Sequence, residues 1–249
     1  MEEINKIRKV SIWIFLVPIF VLNLCLLISI NYTIFDLPVT NFWSILKVDQ
    51  VSRSGFTIPY IDGSLSISRT ARGYPNYIFF KAGMIITSIL LIRYWIANNL
   101  VIKKFNKNSK KNKYFLVFGV CSAIFLATHS IFLGFDFDIN LYKFFRRFVL
   151  LGFIVFEIIA QALLVLCLID IKDKTFKYVN SKILCIKMVL VSVLIIVALL
   201  SLPILNSNEY THFKHALEWN YFLGIITFYL LTFLFWKKFK TPVHTPEGA

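Results

Sequence analysis

The side chains best able to do chemistry are few and concentrated in an otherwise apolar chain. Their density peaks at IPYIDGSLSISRTARGYPNYIFFKAGM, positions 58–84. Arg69 and Arg72 are three residues apart there, and Lys81 follows nine residues on. Forked guanidinium donors suit a phosphate or carboxylate, and a nearby ammonium adds a third cation. Asp62 and Gly63 form a turn signal, and Ser64, Ser66 and Ser68 alternate behind it. The plainer alternative is a capping loop whose arginines pair with Asp62 or snorkel to lipid phosphates.

A second set is scattered further along the chain. Glu157 and Gln161 are four residues apart and so share a helix face. An ionised carboxylate there needs a cation, and a neutral one serves as an interhelical hydrogen-bonding group. His129 stands alone, whereas His215 and Glu218 are three residues apart with His212 just before them. These groups have metal-ligand chemistry, but their spacing matches no helical metal motif such as HExxH, so no metal site is expected. The chain lacks a P-loop, a dinucleotide fingerprint and a GxSxG elbow, so no cofactor and no catalytic residue is assigned.

The elements that must position these groups are read from composition. Residues are 58% hydrophobic and 16% charged, 26 of the 249 are Phe, and the mean hydropathy is +0.72. A water-soluble domain needs more polar surface than this. The apolar residues fall into runs of about 20, the length at which a helix crosses the hydrocarbon core. The expected fold is all-α, a polytopic bundle of six transmembrane helices at about 10–30, 77–97, 114–134, 148–169, 184–205 and 217–236. Helices satisfy every backbone N–H and C=O within the segment, as lipid demands, and barrel-type alternation is absent.

Basic residues then orient the bundle. Segments flanking the first span's start, between spans two and three, between four and five and after six carry 16 Lys and Arg; the opposite segments carry 8. Both termini are therefore expected in the cytoplasm, with a long first loop, 31–76, on the other side. The net charge of +14 follows largely from these lysines. No basic soluble module is present to read nucleic acid, so nucleic acid is not an expected partner. Residues 1–240 are expected to form one domain, 241–249 a disordered tail, and 40–49 a short interfacial helix. By this orientation Arg69, Arg72, Lys81, His129, His215 and Glu218 lie toward the outer leaflet. Glu157 lies below them, roughly 14 Å from the outer end of the fourth span.

With this layout in place, the chain resembles the six-span membrane family that contains the damage-regulated autophagy modulators and the Golgi factor acting in GPI-anchor lipid remodelling. The residues that carry the resemblance are the Pro59-Tyr60-Ile61-Asp62 turn, the run Arg69, Arg72, Pro75 and Phe79-Phe80-Lys81, and the phrase His215-Ala216-Leu217-Glu218-Trp219 with Phe228 and Phe233 beyond it. Trp95 and His129 are compatible with it. Around Arg72, Pro75 and Lys81 the likeness is to the GPI-factor branch, because Gly73-Tyr74-Pro75-Asn76 departs from the Pro-Pro-Glu pattern of the autophagy branch. The resemblance implies a multi-pass protein that recognises or helps remodel a lipid head group, in the Golgi or endomembranes of a eukaryote. In a bacterium the equivalent location is the inner membrane. Membrane lipids are the implied partners, with Arg69, Arg72 and Lys81 holding the head group and Asp62, His129, Glu157, Gln161, His215 and Glu218 forming a polar pocket. Two other readings stay open: a non-catalytic scaffold that recruits proteins through its cytoplasmic face, and an ion or solute transporter.

Overall fold

A computed structural model describes residues 2–31, 54–106, 110–133, 140–206 and 209–238. The interfacial helix expected at 40–49 and the tail at 241–249 lie outside these residues. Six long helices account for most of the rest: α1 (Glu2–Ile30), α4 (Asn76–Phe105), α5 (Lys110–Phe132), α6 (Asn140–Asp170), α8 (Ser181–Asn206) and α9 (Thr211–Phe235). Each contains a stretch long and apolar enough to cross a membrane. The chain is a multi-pass membrane protein built as an all-α six-helix bundle.

The helices outrun the predicted spans because their polar ends are good helix formers with local partners. α1 starts at Glu2, where Glu2 and Glu3 complement the helix dipole and Lys6 pairs with both, at 3.0 and 3.2 Å. Lys103 and Lys104 occupy the last turn of α4, where cations face the carbonyl end. Pro18 and Pro203 sit within α1 and α8, and both helices continue through them.

Packing follows chain order around a ring. α1 contacts α4, α4 contacts α5, α5 contacts α6, α6 contacts α8, α8 contacts α9, and α9 returns to α1. Aromatic side chains fill the centre. Trp95, Trp219, Tyr94, Tyr229 and Phe228 are fully buried, and Tyr94 meets Tyr229 edge-on with ring centroids 4.8 Å apart. Lipid is as apolar as these side chains, so close packing and interhelical hydrogen bonds hold the ring. The role of packing is clearest at Gly119 on α5. A Cβ there would lie 2.3 Å from the indole of Trp95 on α4, so only glycine lets the two helices approach. α8 is the least covered helix: 22% of its apolar stretch is buried, against 56% for α4.

One end of the ring carries a small cap made of α2 (Pro59–Asp62) and α3 (Ile67–Thr70). Its turns are locally determined. The Asp62 carboxylate accepts from the Ile58 and Ser64 N–H groups, at 2.8 and 2.9 Å, and from the Thr57 hydroxyl. Ser66 caps α3 through the Arg69 N–H. Bonds that fasten the cap to α9 include Trp219 Nε1 to the Leu65 carbonyl (2.8 Å), His215 Nδ1 to the Gly63 carbonyl (3.0 Å) and Asn220 Nδ2 to the Tyr60 carbonyl (2.7 Å). Gly63 adopts a φ of +61°, and a Cβ there would strike the His212 carbonyl. At the start of α4, Asn76 Nδ2 ties three elements together through Cys25 O, Ser29 Oγ and Thr70 O, at 3.0, 2.8 and 2.8 Å.

At the opposite end, α7 (Lys172–Thr175) and a 3₁₀ turn (Phe176–Tyr178) lead into a single bridge between Val179 and Trp236. Arg8 donates to the Trp236 carbonyl at 2.6 Å and lies over the Phe233 ring, joining the first helix to the last.

Candidate functional site

Beneath the cap lies a cavity of about 90 Å³, room for a few waters or one small group. Its polar wall comes from His129 on α5, Glu218 on α9 and Ser68 on α3. Apolar side chains such as Phe80, Met84, Leu126, Phe153 and Phe222 make the rest. The Glu218 carboxyl accepts from the backbone N–H groups of Ile67 and Ser68, the orphan donors at the start of α3. His129 is 7% exposed, and its Nδ1 has no hydrogen-bond partner among the described residues. Two guanidiniums act on it electrostatically, those of Arg72 and Arg146, and Arg72 also acts on Glu218. Arg146 projects from the first turns of α6, with the Tyr142 ring 5.9 Å from its Cζ.

The sequence-derived residues therefore divide by place. His129 and Glu218 line the cavity, and Arg72, outside its lining, acts electrostatically on both. Arg69 is exposed on α3 and acts electrostatically on His215 rather than on the cavity. Lys81 lies over the Tyr77 ring, 5.5 Å from its centroid, and is not a cavity wall. His215 fastens the cap through Gly63. Asp62 organises the 57–64 turn, and its hydrogen bonds hold its carboxyl down to a pKa of about 2. Among the described residues no three His, Cys, Asp or Glu side chains converge to hold a metal ion.

Glu157 and Gln161 form a separate constellation in the bundle core. Glu157 is fully buried and accepts from Ser122 Oγ (2.6 Å), Gln161 Nε2 (3.0 Å) and the Tyr229 hydroxyl. Gln161 Nε2 also reaches the Ile225 carbonyl at 3.2 Å. Toward the opposite end of the ring from the cap, Lys187 on α8 is fully buried as well. Its Nζ donates to Thr232 Oγ1 at 2.7 Å and lies 3.8 Å from the centre of the Phe228 ring. Tyr94 completes the group, its hydroxyl 3.0 Å from Thr232 Oγ1.

Sequence reasoning passes over Arg146 and Lys187. Arg146 reads as one of several outer-loop charges, because the span boundary at 148 excludes it. Lys187 had a usable signal, since it is an ionisable residue four positions into the predicted fifth span. Ser122, Tyr94, Tyr229 and Thr232 carry no such signal; hydroxyls of these types are common in spans, and only the fold gathers them.

No protein-family model, curated protein or solved structure matches the chain.

Proposed function

We propose that the chain recognises the anionic head group of a membrane lipid at the capped, non-cytoplasmic mouth of the bundle and assists its remodelling or distribution. The observation that carries this reading is the composition of the cavity wall. One side offers a buried imidazole with an unfilled ring nitrogen, and two guanidiniums outside the lining act on that imidazole electrostatically. The other side is apolar and belongs to membrane-spanning helices. A ligand that satisfies both sides is an amphiphile with a negatively charged end. The cavity takes one small group of such a lipid, a phosphate or a carboxylate, while the rest of the molecule stays in the bilayer. Arg72 and Arg146 supply the charge, His129 a hydrogen bond, and Glu218 holds α3 in place above the ligand. The resemblance to the GPI-factor branch supports the same assignment. It also makes a Golgi or endomembrane location part of the proposal for a eukaryotic host.

The test is whole-membrane lipid mass spectrometry on cells lacking the protein and on cells carrying wild type, Arg72→Ala or Arg146→Ala. A lipid species that changes on deletion should return with wild type and stay changed with either variant, at matched membrane levels. Full rescue by both variants would remove the head-group site.

A further inference from the structure

The core constellation is independent of the mouth cavity and has chemistry of its own. Glu157 and Lys187 are both at 0% exposure, inside a bundle whose outer surface faces lipid. A lone buried charge at either position is costly, but opposite charges in one core offset each other. The two residues share an intermediary. Tyr94 bonds the same Thr232 hydroxyl that accepts from Lys187 Nζ, and it feels the Glu157 carboxyl electrostatically. Tyr229, which donates to Glu157, packs edge-on against Tyr94 and interacts electrostatically with it. Tyr229 thus bonds the carboxyl, Tyr94 and Lys187 share the Thr232 hydroxyl, and the two tyrosine rings in contact join these halves.

We propose that Glu157 and Lys187 form a buried proton-binding pair, a site for one transferable proton inside the membrane, served from the lysine-rich face. The pair is neutral in two forms, carboxylate with ammonium and carboxylic acid with amine. Conversion of the first to the second breaks one N–H bond of Lys187 and forms one O–H bond on Glu157. That internal transfer leaves the proton count unchanged; the site loads as pH falls, when the carboxylate–ammonium form takes one proton from water, forming one O–H bond on Glu157 and leaving Lys187 as the ammonium. Lys187 lies six residues from the start of α8, about 9 Å along the helix axis. Glu157 is thirteen residues from the end of α6, about 20 Å along it. Lys187 is therefore the member nearer the aqueous phase on that side. Among the described residues, the titratable groups facing this core are Tyr94 from α4, Glu157 from α6 and Tyr229 from α9. α5 supplies the Ser122 hydroxyl, and Arg8 of α1 stands at the end of the ring against Trp236.

Infrared difference spectroscopy on the full-length protein in proteoliposomes, with the glutamate side-chain carboxyls isotopically labelled, reads the pair directly. As pH is stepped, one labelled carboxylic-acid band should change reversibly in wild type and be missing from Glu157→Gln. Lys187→Met should move its midpoint by about one pH unit or more. Tyr94→Phe, which keeps the ring packing, should slow its exchange with heavy water severalfold. A wild-type band that stays fixed across the pH range, or one that Lys187→Met leaves in place in folded protein, would overturn the proposal. The wild-type titration and Tyr94→Phe decide the matter even if Lys187→Met fails to fold.

Discussion

Glu218 shows how one side chain is committed to two tasks. It is a wall of the cavity, and it also satisfies the Ile67 and Ser68 N–H groups at the start of α3, donors that a four-residue helix cannot satisfy internally. Glu218→Ala leaves both donors without their acceptor and should cost about 1–3 kcal/mol, seen as a lower Tm in detergent. Glu218→Gln keeps an acceptor and should recover most of that loss. Equal Tm values for both variants would show that the carboxyl does not hold the cap. Asp62 makes a complementary case at the solvent edge. Its pKa of about 2, held down first by the Ser64 N–H, lies below the ordinary carboxylate value. Its contribution is therefore fully present above the unfolded-state pKa and is lost as pH falls through the folded one. Proteolytic protection of the 57–64 turn should be flat from neutral pH down to about pH 4 and fall below that. Asp62→Asn should remove the acid-dependent step. The Asp62-Gly63 turn was legible in the sequence because its cause is local, an acidic side chain followed by a residue free to adopt positive φ. The place of Glu218 beside α3 was not, since Ile67 and Ser68 are about 150 positions away and nothing in their spacing points to it.

At the scale of the helices, the same division between local and distant causes recurs. All six membrane-spanning helices were legible, because transfer of apolar side chains into lipid is a property of each segment alone. The extra turns at their ends were less so, as in α6, which begins at Asn140 rather than 148. Those turns leave the hydrocarbon, and hydropathy does not report on them. Arg146 was lost to the reading for that reason. Which helix faces which is a matter of shape, and Gly119 is the sharpest example. Gly119→Ala places a methyl group within the indole of Trp95, which is fully buried between Tyr94, Phe115 and Tyr229 and cannot retreat. The α4–α5 pair must separate, at a cost of about 1–3 kcal/mol, measurable as a fall in Tm. Trp95→Leu alone is also destabilising, through lost packing. The double variant should be less destabilised than the two singles added together, because the space vacated by the indole accepts the methyl. Strict additivity would mean that Gly119 is not there for the close approach.

For the whole molecule, the ring has a consequence that no single helix carries. An even number of crossings returns the chain to the side on which it began. The Arg8 hydrogen bond to the Trp236 carbonyl shows the start of α1 and the end of α9 meeting at one end. The sequence segments expected on that side carry 16 Lys and Arg against 8, which is the ground for expecting it in the cytoplasm. On that orientation the cap, the cavity and Arg72 face the other compartment, and Lys187 lies nearer the cytoplasm than Glu157. Two exposed positions test this directly. Ile61 is 80% exposed on α2, and Lys104 is exposed in the last turn of α4, at the opposite end of that helix from the cap. In sealed, right-side-out vesicles lacking the native cysteines, a membrane-impermeant maleimide should label Ile61→Cys at once. It should label Lys104→Cys only after the membrane is opened. The reversed pattern would turn the molecule over. The two arginines would then address the cytoplasmic leaflet, where anionic lipids are concentrated, and the buried lysine would be served from the outer side. The head-group cavity would survive that reversal with a different pool of lipids, whereas the direction of proton loading would invert.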